Sequence, residues 1–275
     1  MSFVKGSGGV EIHYRVVGNE GPLVVLLHGL GLSGRFWFSL PEKLSTGTDV
    51  PVRVVAIDNR GTGQSTCPRR PWLMSHMADD VAAVVDSIGT GPAIVAGISM
   101  GGMVAQHVAL RHADKVSGLL LMATLPGLPH LSPPAFRTIR DLVSLRFIDE
   151  DTAGKRLARL LLPESELPRA SEHLAGWREA LLEETASPRC FIFQLAAVAT
   201  HSASLRLGKI CCPTTVLVGE QDLLVPEKNS RRLASAIPGA RLKRIPGVGH
   251  GIDILAADEV CSSIWELARV ARPAS

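Results

Sequence analysis

Three short stretches carry residue types that could cooperate in acyl transfer. In "GISMGG", Ser99 follows the apolar run "AIVAGI" and precedes the helical pattern "MVAQHVALRH". A strand, a sharp turn between small residues and then a helix would hold Ser99 in a strained conformation with its hydroxyl exposed above a sheet, the geometry of a nucleophile elbow. Gly97 and Gly101 suit it, because a side chain there would collide with neighbouring backbone in so tight a turn. A glycine- and serine-rich pentapeptide means little by itself; the strand and helix around it give it meaning.

A serine hydroxyl is a poor nucleophile at neutral pH and needs a base, which in turn needs an orienting carboxylate. Nine histidines compete. His250, in "IPGVGHGID", lies in a glycine-rich loop between the strand-like "ARLKRI" and the last helical pattern, so its ring could reach back across a sheet. His107 and His112 fall on the helix after Ser99, where packing or solvation accounts for them, and His13, His76, His130, His173 and His201 have no comparable loop. For the carboxylate, Asp222 in "TTVLVGEQDLLVP" directly follows an apolar strand pattern, at the end where sites in α/β folds assemble. Its neighbour Glu220 reads more simply as a solvated loop charge, and the turn after "LLLMAT" offers no acid.

A further stretch, "HGLGLSG" from His28 to Gly34, follows the run "LVVLL" and supports two incompatible readings. Gly29, Gly31 and Gly34 satisfy G-x-G-x-x-G after a strand, and Asp58 ends the next apolar run about where a dinucleotide fold places its ribose-binding acid. Pyrophosphate, however, requires a helix that starts within the glycine turn. Pro41 would interrupt a helix begun at Ser33 and suits one begun near residue 40. The hydrolytic reading instead needs backbone amides beside Ser99, from Leu30 and from Met100, and leaves Asp58 as a turn residue satisfying loop amides. The dinucleotide reading leaves Ser99, Asp222 and His250 without a purpose.

The elements that must position these residues follow from patterning. Runs at 23 to 27, 52 to 57, 93 to 98, 116 to 123 and 214 to 218 are rich in Val, Ile and Leu and nearly unbroken, as expected of parallel strands covered on both faces. Alternation at 10 to 17, then "GNEG", predicts a hairpin into the first core strand. Ser75 is placed to cap a helix with Met77, Val81, Val84 and Ile88 on one face, and Ile254, Val260, Ile264 and Ala268 mark another. Between about 125 and 207 helical patterns recur without a strand, which predicts a helical insertion over the site.

At 275 residues, 46% hydrophobic and with a formal net charge of +3, the chain can bury a large core. Its cations are scattered among 26 acidic residues, which argues against nucleic acid and anionic membranes as partners. The first residues alternate polar with apolar and no run nears the roughly 18 residues of a membrane span, so a cytoplasmic protein is expected. Cys67, Cys190, Cys211, Cys212 and Cys261 are odd in number and contain no C-x-x-C, which disfavours a disulfide framework or a zinc site.

The motifs "LLHGLG", "AIDNRGTGQS", "GISMGG", "GEQDLLVP" and "GVGH", in this order and at these spacings, resemble the α/β-hydrolase superfamily over nearly the whole chain. "HGLGLSGRFW" and "SMGGMVAQ" look especially like its serine esterase and enol-lactonase branch. The resemblance implies a mostly parallel central sheet with an N-terminal antiparallel hairpin, helices on both faces, a core of 1–124 and 208–275, and a helical cap at 125–207. It implies Ser99 as nucleophile, His250 as base, Asp222 as its orienter, and the Leu30 and Met100 amides as oxyanion hole. The expected activity is hydrolysis of a small-molecule ester or lactone through an acyl-enzyme, with no cofactor and no metal. Carbon-carbon bond hydrolysis of dioxo acids and cofactor-free peroxidation use the same triad, and some small-ligand receptors of this fold keep one without turnover. Relatives that attack with aspartate differ at Ser99, and epoxide-polarising cap tyrosines are missing, since the only tyrosine is Tyr14. Leu125, Leu128, Phe136, Phe147, Trp177, Phe191 and Phe193 are candidates to line an apolar pocket, and Arg137, Arg140 and Arg146 to meet a substrate carboxylate; a small cap core and solvated charges are the competing accounts.

Overall fold

A computed structural model describes residues 2–47, 50–145, 148–184 and 186–271. Two strands, β1 (Ser2–Lys5) and β2 (Glu11–Val17), precede β3 (Leu23–Leu27), α1 (Leu40–Ser45), β4 (Arg53–Ile57), α2 (Met74–Ile88), β5 (Ala93–Ile98), α3 (Met100–Arg111) and β6 (Val116–Met122). Among the described residues five helices follow without an intervening strand: α4 (Phe136–Ser144), α5 (Glu150–Leu161), α6 (Ala170–His173), α7 (Trp177–Glu184) and α8 (Pro188–Ala199). The chain then returns through β7 (Thr214–Gly219), α9 (Glu227–Ala236), β8 (Arg241–Ile245), α10 (Ile252–Leu255) and α11 (Ala257–Ala271).

The eight strands form one sheet in the order β1-β2-β4-β3-β5-β6-β7-β8, parallel from β4 through β8 and antiparallel at β1 and β2. Every residue of β3, β5 and β7 is buried, because helices cover both faces. Met77, Val81, Met103, Val104 and Leu233 pack one face, while Leu40, Leu44, Val260 and Ile264 pack the other. Strand order reverses around β3, where β4 lies on one side and β5 on the other. Leu27 pairs with Gly97, so β3 and β5 end flush at that switch point, the crevice where open α/β sheets gather their sites.

Two local expectations are corrected. The strand at 11–17 does not pair with β3; it lies antiparallel between β1 and β4, with Tyr14 opposite Ile57. A strand buried on both faces against β4 and β5 leaves β3 no free edge for a hairpin partner. Ser75 does not cap α2, which begins at Met74; the His76 ring instead reaches back and accepts from the Leu73 amide at 3.1 Å. Cys67 and Cys190 come together, their Cα atoms 6.1 Å apart, because α8 crosses the loop after β4, a convergence over 123 residues that cysteine spacing does not reveal. Among the described residues no helix is long and apolar enough to cross a membrane.

Candidate active site

Ser99 joins β5 to α3 with φ 54° and ψ −119°, a conformation that L-residues avoid unless their surroundings impose it. Here the imposition is explicit. The Ser99 amide donates to the Met122 carbonyl at 2.9 Å, and the Thr124 hydroxyl donates to the Ser99 carbonyl at 2.7 Å, so the end of β6 grips the turn from the side. A Cβ on Gly97 would meet the Gly101 carbonyl, and one on Gly101 the Leu27 carbonyl, which is why both positions are glycine. Ser99 is half-buried, at the N-terminus of a twelve-residue helix whose dipole favours negative charge there.

His250 and Asp222 meet at the same edge of the sheet. His250 Nδ1 and Asp222 Oδ2 lie 2.9 Å apart, and the Asp222 side chain is fully buried. Its other oxygen accepts from the Leu224 and Val225 amides, each at 2.8 Å, so the carboxylate is held on three sides. Glu220, two residues earlier, turns outward to Arg244 at 3.1 Å. Burial presses His250 toward its neutral form, but the charge and hydrogen bond of Asp222, with a smaller contribution from Asp253, outweigh it and hold the pKa above 6.5. The His250 loop is pinned by the Gly251 amide, which donates to the Leu161 carbonyl of α5 at 2.9 Å. Ser99 Oγ and His250 Nε2 form no hydrogen bond to each other, a contact that in unliganded sites often tightens only when substrate binds.

The turn after β3 flanks Ser99. A Cβ built on Gly29 would stand 3.4 Å from Ser99 Cβ and 3.9 Å from Ser99 Oγ. The neighbouring amides are divided: Gly29 donates to His28 Nδ1 at 2.8 Å, Gly31 to Gln194 Oε1 at 2.8 Å, and Leu32 to the Gly29 carbonyl at 3.3 Å. Among the described residues the Leu30 and Met100 amides have no acceptor. Two unspent donors beside a strained hydroxyl can stabilise a tetrahedral oxyanion. No α-helix starts in the glycine turn; a short 3₁₀ turn at Gly34–Trp37 precedes α1, which begins at Leu40 with Pro41 in its first turn. Asp58 bonds the Gly34 amide at 2.8 Å, the Gln64 amide at 2.9 Å and His13 Nδ1 at 2.8 Å, which leaves it no role toward a ribose.

Sequence patterns missed three residues that hold this arrangement. Gln194 on α8 is fully buried and binds both the Gly31 amide and, through Nε2, the Arg60 carbonyl at 3.1 Å. Thr124 grips the elbow, and Asp253 Oδ2 lies 3.3 Å from His28 Nε2. Each is an ordinary polar residue in its local sequence, and only tertiary convergence gives it a function. Of the lining candidates, Trp177 is buried with its ring 5.0 Å from Phe36 and 5.9 Å from Phe38, Phe191 packs on Gly31, and Leu125 is buried with its carbonyl accepting from Gln106 and His201. Phe136 is corrected: at 81% exposed it faces solvent, where a ring cannot line a pocket. Leu128 is also exposed, Phe193 meets Trp72 edge-to-face, and Arg137 and Arg140 both pair with Asp141. Arg146 and Phe147 lie outside the described residues. A cavity of about 680 Å³ opens elsewhere, beside β2, lined by Tyr14, Arg15, Phe38 and Gln64 among others, and includes neither Ser99 nor His250.

Residues 22–255 match the family described as the α/β hydrolase fold, and the chain belongs to that family. It is 33% identical over 238 residues to the pimeloyl-[acyl-carrier protein] methyl ester esterase of Chromobacterium violaceum, covering 84% of this chain and 88% of that protein. It is 29% identical to RutD of Serratia proteamaculans, named as a candidate carbamate hydrolase, over 88% of this chain and 90% of that one. A thermophilic esterase from Thermogutta terrifontis superposes with a TM-score of 0.81 at 26% identity, over 99% of both chains.

Proposed function

We propose that this α/β hydrolase is a serine hydrolase of small carboxylic esters or lactones. In this reading His250 Nε2 accepts the Ser99 proton as Oγ attacks the carbonyl carbon, and the Leu30 and Met100 amides hold the oxyanion. Protonated His250, stabilised by Asp222, gives the proton to the departing alkoxide, which leaves an acyl-Ser99 ester. Water then attacks that ester with His250 again as base, releasing the acid and restoring Ser99. The five helices between β6 and β7 serve as a cap, since Gln194 on α8 and the Ala186 amide, which donates to the Gly31 carbonyl at 3.0 Å, tie them to the turn beside Ser99.

The observation that carries the reading is the buried Asp222 to His250 hydrogen bond, at the sheet edge where a strained serine and two unspent amides also lie. The esterase-named relatives support an ester substrate, and the RutD relatives keep a carbamate as the competing acyl derivative. Purified protein is to be assayed against short esters, lactones, carbamates and dioxo acids, with Ser99→Ala as control. Ester or lactone turnover that disappears in Ser99→Ala supports the proposal. Turnover confined to carbamates or to carbon-carbon cleavage would assign the same machinery to a different bond, and covalent labelling of Ser99 by a fluorophosphonate without turnover would indicate a ligand-binding protein.

A further inference from the structure

His28 sits against Ser99's turn with both ring nitrogens committed. Its Nδ1 lies 2.8 Å from the Gly29 amide. A backbone amide can only donate, so Nδ1 carries the lone pair and the ring proton resides on Nε2. That nitrogen faces Asp253 Oδ2 at 3.3 Å. Both side chains are buried, at 4% and 7% exposed, where an acid without a partner would be costly. Trp37, Phe36 and Trp177 surround the imidazole, with centroids at 4.8, 6.0 and 6.4 Å, and can fix its plane. Hydrocarbon edges cannot choose between tautomers; a carboxylate at Nε2 can. Asp253 is three residues beyond His250, in the short helix α10 among the apolar residues Ile252, Ile254 and Leu255.

We propose that Asp253 is a positioning residue: by accepting from His28 Nε2 it holds the tautomer that binds the Gly29 amide, which sets the turn so that the Leu30 amide stays free to face Ser99. The same carboxylate is a second anion on the His250 side of the site. The charged groups around His250 are Asp222 from the loop after β7 and Asp253 from its own segment, and from α5 the loop receives the neutral Leu161 carbonyl. Asp253 therefore has two separable effects, one through a hydrogen bond and one through charge. The first determines how well the oxyanion is met, and the second raises the pH at which His250 becomes available as a base.

The kinetic part rests on the serine-hydrolase reading. Two variants separate the effects in the full chain. Asp253→Asn keeps an acceptor for His28 and removes the charge: the acid limb of kcat/KM on p-nitrophenyl acetate should move to lower pH by about a few tenths of a unit, with kcat on the plateau reduced less than tenfold. Asp253→Ala removes both: the limb should move similarly while kcat falls about ten- to a hundred-fold at little change in KM, the signature of a loss felt in the transition state. Imidazole ¹⁵N shifts, with His28→Asn for assignment, should show His28 protonated at Nε2 in the wild type and in Asp253→Asn, and a mixed tautomer in Asp253→Ala. Wild-type kcat and acid limb in both variants, with the Nε2 tautomer persisting in Asp253→Ala, would overturn the proposal. If Asp253→Ala does not fold, the wild-type ¹⁵N shifts decide, since a proton on His28 Nδ1 would overturn the proposal. If instead Ser99→Ala is as active as wild type, the serine reading has failed, and the ¹⁵N shifts alone judge the role of Asp253.

Discussion

Asp222 accepts three hydrogen bonds and sees no solvent, so its only flexible partner is the His250 ring. That arrangement favours imidazolium, and His250 is held above its ordinary pKa in spite of burial. The base form is consequently gained only as pH rises past 6.5, and the acid limb of kcat/KM should have its midpoint above that value; a midpoint well below it would contradict the assigned environment. Ser99→Ala should lower kcat by about three orders of magnitude or more, with the fold unchanged by circular dichroism. Ser99, Asp222 and His250 were all legible as candidates because each ends an apolar run or lies in a glycine-rich loop, features set by local sequence. Gln194, Thr124 and Asp253 were not, since their partners are 163, 25 and 225 residues away.

Elements explain why these residues stay where they are. The loop after β4 carries Arg60, whose guanidinium meets Asp80 on α2 through two hydrogen bonds of 2.7 Å, both groups 4% exposed. Arg60 Nη2, which also bonds Asp80, reaches the Ser7 and His76 carbonyls as well. Asp80→Ala would leave a buried cation unpaired and should destabilise the protein by about 3–5 kcal/mol in urea unfolding. Gln194 links α8 to two backbone groups of the core, so Gln194→Ala strands the Gly31 amide and the Arg60 carbonyl. It should cost about 1–3 kcal/mol of stability and also lower kcat, whereas a purely structural tie would lower stability alone. The strands of the parallel sheet were readable as unbroken apolar runs. The position of β2 was not, because an alternating strand can pair with any free edge, and only the order of the whole sheet shows that the edge belongs to β4.

The whole molecule stands on one continuous sheet, and the helices between β6 and β7 join it through a second buried pair. His107 of α3 and His201 after α8 share a hydrogen bond of 3.2 Å, and His201 Nε2 donates to the Leu125 carbonyl. Burial lowers their pKa values to about 4 and about 3, so both are neutral in the folded chain and protonate more readily when it unfolds. Their contribution to stability is therefore complete above pH 6.5 and is lost as pH falls from there toward about 3. The melting temperature should drop over that window, and His201→Asn should flatten the dependence. Nucleophilic attack by Ser99 is the step on which the proposed hydrolysis depends, and the most direct measurement of it is mass spectrometry of the protein mixed briefly with a slow ester substrate. An acyl adduct that forms and decays on Ser99, is missing from Ser99→Ala and accumulates when His250 is replaced by Gln less than in wild type, is the predicted result. Ester turnover at the wild-type rate in Ser99→Ala, with no adduct in either protein, would contradict it.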